Sequence, residues 1–406
     1  MYINYVSKNK LKVALISSLM LSIGCTTSSQ QTSSVNSNSP QTTEVPASIN
    51  GPWYTTLDNN LQIEQSFNDK SEEIKPFPDY EFSVHEMNDY GLVIGSLYSY
   101  EDLMNSPCLG LGYYDVKTGD SVMIQEGLSS EGGAVKYLTS DESTIFYSET
   151  DTNTNTQLET IYSYNIQTKE KNTIYQTINM GNFNFITMVL TDTDYYISCP
   201  IGDGTNENTQ NHLLRLNKDT LEAETLCSTM AIYPVLLNDI VYYAEIDNAN
   251  RKCYLHAYDQ KTKEDKTIPI YISELEYIRK LFSDNGKLYI QINCDEGLTP
   301  SVKFYHYDID NDKYVLHMEM KNHSADAPNV KNNYLTFWSD AALPEKRLNT
   351  MYYLFDLNEN KFIPYCGGYI KLSNYGMLWT RYNVPENTIG TFEEQPGDIS
   401  FMLYKC

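Results

Sequence analysis

Basic residues are scarce in this chain: 29 Lys and Arg stand against 53 Asp and Glu in 406 residues, a formal charge of −24. Nucleic-acid phosphates are held by basic faces, so this balance excludes a DNA- or RNA-binding protein. Tryptophan is rare, at three residues, and charged residues make up only 20%, a composition that also excludes collagen, a coiled coil and wholesale disorder. Catalytic signatures are missing as well. No Gly-x-Ser-x-Gly elbow, phosphate-binding Gly-Lys loop, His-Glu-x-x-His helix or Cys-x-x-Cys pair occurs, which removes the usual support for hydrolase, kinase and zinc chemistry. The six histidines, His85, His212, His256, His306, His317 and His323, are scattered and read as ordinary strand residues. What the chain has in excess is tyrosine, 35 residues, a side chain suited to pleated, half-buried strands.

The N-terminus carries Lys8, Lys10 and Lys12 ahead of an apolar run from Val13 to Ile23 that is too short to span a bilayer. This is the charged and apolar layout of a secretory signal. The run ends Leu21-Ser22-Ile23-Gly24-Cys25, which resembles the lipobox of bacterial lipoproteins, with Ser22 where that family usually has an apolar residue. The resemblance implies cleavage after Gly24 and acylation of Cys25; a plain signal peptide with a Cys beside its cleavage site is the alternative. Two or more acyl chains give stable anchoring where one is marginal. In residues 26–50, 18 of 25 are Ser, Thr, Asn or Gln, too polar to offset the entropy of ordering, so the segment is expected to be a flexible tether. Losing the signal removes three Lys and makes the mature chain more acidic, so attachment to a membrane must come from acyl chains rather than a basic patch. The expected location is the extracytoplasmic face of the cell membrane.

From Trp53 on, short aromatic or alternating runs bounded by Asn, Asp and Gly replace any long amphipathic pattern, which points to all-β structure. One element recurs: an apolar strand ending in Asp or Asn, then a turn rich in Lys, Thr, Asn and Gly, then a second strand. Its copies are centred on Asp115, Asn165, Asn217, Asp259, Asp308 and Asp356, about fifty residues apart. A short Asp or Asn side chain can bond the backbone two residues on, as a tight hairpin turn requires. A second set of hairpins falls between these, at Asn88-Asp89, Asp141, Asp192-Thr193-Asp194, Asn238-Asp239, Asn285-Gly286, Asn332-Asn333 and Asn374-Tyr375-Gly376. Two hairpins per unit make four antiparallel strands, and units of this length predict a seven-bladed β-propeller over residues 51–406. An N-terminal strand, placed near Leu57-Asp58-Asn59-Asn60-Leu61, is expected to shut the ring against the C-terminal strands. A β-solenoid or a pair of sandwiches is the competing architecture. The pattern Tyr113-Tyr114-Asp115-Val116-Lys117-Thr118-Gly119 resembles the blades of bacterial extracellular propellers of the YVTN, TolB-like and quinoprotein-like type. The Trp-Asp ending of WD40 blades, the Gly-Gly doublets of kelch repeats and the fixed Trp of quinoprotein blades are absent.

Several constellations invite a ligand. Asp308-x-Asp310-x-Asp312 with Glu319 has calcium-loop spacing, but Lys313 stands where the sharp turn demands Gly, and Asp308 is already the repeat's turn residue. Asp151-x-Asn153-x-Asn155 and the loop from Asp203 to Glu207 offer a weak calcium site at most, and no cofactor is expected otherwise. Apart from Cys25, seven cysteines remain, enough for one or two bridges plus buried thiols. The long variable segments, residues 99–110, 148–159, 199–211, 292–301, 338–350 and 383–398, gather on one face of a propeller, where recognition residues usually lie. That face collects Asp151, Asp203, Glu207, Asp295, Glu296 and Asp340, an acidic rim suited to a cation or a basic protein, or simply to solubility. Trp338 and Trp379 end predicted second strands beside it, where they either stack a glycan or peptide ligand or pack between blades.

The sequence therefore predicts a monomeric, membrane-tethered propeller acting as a binding or scaffold module. Two alternatives stay open. One is a glycan- or peptide-acting enzyme with carboxylates gathered at the tunnel mouth; the other is an accessory or sensor subunit of an envelope complex.

Overall fold

The computed structural model describes residues 70–99, 108–127, 134–151, 158–178, 186–202, 209–247, 250, 252–270, 272–273, 275–294, 301–321, 325–339, 352–363, 369–382 and 399–405. Gly24, Cys25, the polar segment 26–50 and Leu57–Leu61 lie outside them.

A short strand β1 (Glu72–Ile74) precedes seven four-stranded antiparallel units. Blade 1 holds β2 (Glu81–Met87), β3 (Leu92–Tyr98), β4 (Gly110–Asp115) and β5 (Asp120–Glu126). Blade 2 holds β6 (Val135–Ser140), β7 (Thr144–Asp151), β8 (Leu158–Asn165) and β9 (Lys171–Ile178). In blade 3 they are β10 (Thr187–Leu190), β11 (Asp194–Ile201), β12 (Gln210–Asn217) and β13 (Ala223–Cys227). Blade 4 follows with β14 (Met230–Leu237), β15 (Ile240–Asp247), β16 (Lys252–Asp259) and β17 (Asp265–Ile268). Blade 5 comprises β18 (Glu276–Asp284), β19 (Lys287–Cys294), β20 (Ser301–Asp308) and β21 (Lys313–Lys321). Blade 6 comprises β22 (Asp326–Lys331), β23 (Tyr334–Trp338), β24 (Tyr352–Asp356) and β25 (Lys361–Ile363). The last unit contributes β26 (Ile370–Leu372), β27 (Gly376–Tyr382) and β28 (Ile399–Lys405), and β1 completes it as the outer strand, Glu73 lying opposite Met402.

All six repeat residues close their hairpins as the sequence predicts. Asp115, Asn165, Asn217, Asp259, Asp308 and Asp356 each accept hydrogen bonds from backbone N–H groups two or three residues on. Four residues after each, the backbone turns left-handed, at Gly119, Lys169, Leu221, Lys263, Asp312 and Asn360. Only the first copy carries the glycine this conformation favours. The inner hairpins at Asn238-Asp239, Asn285-Gly286 and Asn332-Asn333 have two successive positive φ values, the twist that suits a two-residue loop.

The core is divided between the blades. Seven apolar clusters fill the seven gaps of the ring: one packs Ile94 and Leu111 of blade 1 on Ile145 and Tyr147 of blade 2, and another packs Phe82 and Val93 of blade 1 on Leu378 and Leu403 of blade 7. Second strands are therefore buried on both faces, as β3 is from Leu92 to Leu97, whereas outer strands such as β13 and β17 are largely exposed. Ring closure thus rests on an apolar interface as well as on β1.

Candidate functional site in the central tunnel

The first strand of each blade faces the ring axis, and five of these seven inner strands are bulged. The register slips at His85 in β2, Leu138 in β6, Tyr233-Pro234 in β14, Arg279 in β18 and Ala327-Pro328 in β22. A bulge leaves a residue unpaired and re-aims its side chain, and bulges concentrate beside functional sites. Tyr233 and Ala327 are also held at positive φ, 55° and 45°, a conformation that costs a non-glycine residue energy.

These strands carry several ionisable groups. Glu86 and His85 come from blade 1, Tyr137 from blade 2, Arg279 and Lys280 from blade 5, and Lys371 from blade 7, where it stands between Ile370 and Leu372. Each is enclosed by protein while keeping part of its surface open to solvent. Asn329 of blade 6 reaches over to blade 1, its Nδ2 donating to Glu86 Oε1 at 3.5 Å. Lys280 Nζ donates to the Pro328 carbonyl at 3.1 Å, Arg279 Nη1 to Tyr233 Oη at 2.7 Å, and His85 Nε2 shares a hydrogen bond with Ser96 Oγ at 2.7 Å. At the hairpin end of the tunnel, Asp89 binds Lys331 Nζ at 2.8 Å and Asn374 N and Nδ2 at 2.7 and 2.9 Å, tying blades 6 and 7 to blade 1.

Electrostatics follow from this enclosure. Burial pushes the Glu86 carboxyl up, although Lys371 and Lys280 pull it down. Burial lowers the Lys280 ammonium to about 8, helped by Lys371 and Arg279 and opposed by Glu86. Lys371 is lowered by burial against the pull of Glu86, and His85 falls to about 4 through burial and the charge of Lys371. At neutral pH His85 is a neutral imidazole. The tunnel therefore brings an acid, three bases with depressed affinity for protons and a guanidinium into one electrostatic unit, where perturbed groups of this kind mark functional sites.

The residues singled out on the loop face are placed differently. Trp379 is 1% exposed, packs with Leu354 and Met402 between blades 6 and 7, and donates from Nε1 to Ser71 Oγ at 3.3 Å. Of its two possible roles the structure gives it packing. Trp338 is half-buried at the end of β23, and Asp151 half-buried at the end of β7. Asp203, Glu207, Asp295, Glu296 and Asp340 lie outside the described residues. The long segments do join second strands to third strands in every blade but the fourth.

Asp308 is engaged in its turn, accepting from Asn311 N and Nδ2 at 3.2 and 2.9 Å, and Asp312 accepts from Tyr307 Oη at 2.6 Å. Among the described residues no three His, Cys, Asp or Glu side chains gather as metal ligands. The expectation of disulfides is corrected for the described cysteines: Cys108, Cys199, Cys227, Cys253 and Cys294 are all free thiols, spread over four blades; Cys366 and Cys406 lie outside the described residues.

Sequence reasoning missed the tunnel because its members come from six separate inner strands. The available signal was basic residues flanked by aliphatic ones within a strand, as in Ile278-Arg279-Lys280-Leu281 and Ile370-Lys371-Leu372.

No protein-family model matches the chain, and no curated protein matches its sequence. Solved structures do. The oligogalacturonate lyase from Vibrio parahaemolyticus superposes with a TM-score of 0.53 at 13% identity, over 82% of this chain and 92% of its own. What is shared is the fold. The β-propeller domain of the Trilobed protease from Pyrococcus furiosus, described as an open velcro topology, gives 0.50 at 10% identity over 74% of this chain and 91% of its own. A prolyl endopeptidase gives 0.53 at 9% identity over 81% of this chain, which spans only 51% of that longer protein. In contrast to an open velcro, blade 7 here is completed by β1.

Proposed function

We propose that this protein is a binding or scaffold module of the extracytoplasmic membrane face, tethered through an acylated Cys25 and segment 26–50, and that it takes its ligand in the central tunnel. The signal, the Ser22-Ile23-Gly24-Cys25 stretch and the polar segment support the address. The single observation that carries the site is the set Glu86, Arg279, Lys280 and Lys371, converging on bulged or short inner strands and partly open to solvent. Placing so many ionisable groups in a low-dielectric tunnel is costly for folding, and such groups are typically retained for function. The test is a glycan and peptide binding screen of the mature chain, repeated with Arg279→Ala. Binding that weakens in the variant supports the reading; binding that the variant leaves intact moves the site to the loop face. For the address, Cys25→Ser should release the protein from membranes.

One observation favours the enzymatic alternative. A lysine at about 8 can act as a general base near neutral pH, and Lys280 sits beside Arg279, which could neutralise an acidic substrate. An elimination would leave an unsaturated product visible by its ultraviolet absorbance on incubation with acidic oligosaccharides.

A further inference from the structure

Several bases elsewhere in the blades are matched to carboxylates. Lys303 lies 2.5 Å from Glu276, Lys331 2.8 Å from Asp89, Arg215 3.0 Å from Asp194, Lys171 3.7 Å from Glu149 and Lys136 3.8 Å from Glu159. Lys280 and Lys371 have no such partner; of the other half-buried lysines, Lys218 and Lys287 also lack one, and Lys218 lies 5.2 Å from the centre of the Tyr195 ring. Lys280 has only the Pro328 carbonyl as a hydrogen-bond partner and lies 5.2 Å from the centre of the Phe282 ring; among the described residues Lys371 has neither a hydrogen bond nor an ion pair. In a chain of charge −24, acidic partners are not in short supply. The one carboxylate that acts on both lysines, Glu86, comes within 4.0 Å of neither. The lysines come from blades 5 and 7, with Pro328 and Asn329 of blade 6 between them in the ring and Glu86 of blade 1 beyond Lys371. Two ammonium groups that repel each other, enclosed by protein and with Glu86 near them but out of contact, leave positive charge for an anion to balance.

We propose that the tunnel holds an oxyanion between Lys280 Nζ and Lys371 Nζ, with the Asn329 side-chain amide beside it, and that the natural ligand is a molecule carrying such a group. A free phosphate or sulfate and the carboxylate of a larger ligand share this chemistry. Both would be bound by charge-assisted hydrogen bonds, which are shorter and stronger than neutral ones. The charged and titratable groups facing the site are Glu86 and His85 on β2, Arg279 beside Lys280 on β18, Tyr137 on β6, and the Asp89–Lys331 pair at the hairpin end. Glu86 is the only one of these that opposes an anion without a partnering base in contact, so the bound anion and a protonated Glu86 favour each other and binding tightens as pH falls.

The inference rests on the reading of the tunnel as the binding site. Its test is calorimetric titration of the mature chain with inorganic phosphate and, separately, with acetate. Saturable binding of either is expected, phosphate the tighter if the natural group is a polyoxyanion and acetate at least equal if it is a carboxylate. Lys280→Met and Lys371→Met should each weaken it at least about tenfold, the loss of one charge-assisted hydrogen bond. Glu86→Gln should tighten it several-fold and flatten its pH dependence, while Lys261→Met on an exposed hairpin changes nothing. Lys371→Met should also melt at a higher temperature than the parent without anion, so its lost binding is not lost folding. Absence of saturable binding by both anions, binding unchanged in both lysine variants, or a Lys371→Met protein less stable than the parent would overturn the proposal. A neutral ligand from the screen that needs Arg279 but neither lysine would overturn it too, while leaving the tunnel as the binding site.

Discussion

Arg279 Nη1 donates to Tyr233 Oη at 2.7 Å, and both residues are the bulged positions of neighbouring inner strands. Tyr233 holds a left-handed backbone at φ 55° and is 8% exposed, so its hydroxyl is fixed as an acceptor for the guanidinium. Tyr233→Phe removes that acceptor while keeping the ring. The variant should lose about 1.5–3 kcal/mol in urea unfolding, the range for a hydrogen bond to a charged group. A variant as stable as the parent would show that the contact contributes nothing.

The outer hairpins allow a matched pair of substitutions. Leu221 is exposed and sits at φ 56° at the position that Gly119 fills, at φ 80°, in blade 1. A left-handed residue costs about 1–2 kcal/mol with a side chain, part of which glycine returns as unfolded-state entropy. Leu221→Gly should therefore raise the melting temperature by about 1–3 °C and Gly119→Ala should lower it. Scanning calorimetry on both variants checks the sign at each site.

These turns show what the sequence made legible. Asp115 and its five counterparts bond the backbone a few residues on, a local interaction, so blade number, hairpin positions and ring closure could be read from composition and spacing alone. The closing strand proved to be Glu72–Ile74, whose residues Glu72-Glu73-Ile74 are too short and too charged to read as a strand. The tunnel was not legible. Glu86 and Lys371 are 285 positions apart and come together only because the ring shuts, and a bulge that re-aims Arg279 leaves no mark on the alternation of apolar residues. Trp379 was visible as a candidate, but burial between blades 6 and 7 follows from contacts that sequence does not reveal.

Closure itself predicts a sharp boundary for truncation. Glu72 pairs with Lys405 at 2.5 Å, Ser400 Oγ donates to Glu73 at 3.3 Å and Ile74 joins the blade 1–blade 7 core. A chain that starts at residue 70 keeps the whole of β1. Removing residues 1–75 exposes the edge of β28, an invitation to aggregation, and should lower both the transition temperature and its cooperativity. Equal melting of the two truncations would show that β1 is dispensable.

A second ionisable cluster sets a pH dependence. His256 lies between Glu245 Oε2 at 2.8 Å and Asp265 Oδ2 at 3.0 Å, stacks on Tyr243, and Tyr243 Oη donates to Asp265 at 2.7 Å. Burial alone would lower the imidazole, but the bonds and charges of Asp265 and Glu245 outweigh it and raise it. A raised folded value means the stabilisation is complete below the unfolded value of about 6.5 and fades as pH climbs through the folded one. Asp265 is the reverse: burial would raise it, His256 and Tyr243 lower it, so its contribution is present above about 3.9 and fades in acid. The stability gap between the parent and His256→Gln should thus be largest near pH 6 and narrow toward pH 9. A gap that widens with pH would contradict the assignment.

The most direct measurement of the tunnel's character is the titration of Lys280, followed through side-chain nuclear magnetic resonance of the mature chain and assigned by the signal missing in Lys280→Met. A midpoint of about 8, moving upward when phosphate is added, is expected. A midpoint at the ordinary lysine value of 10.5 that phosphate does not move would contradict it.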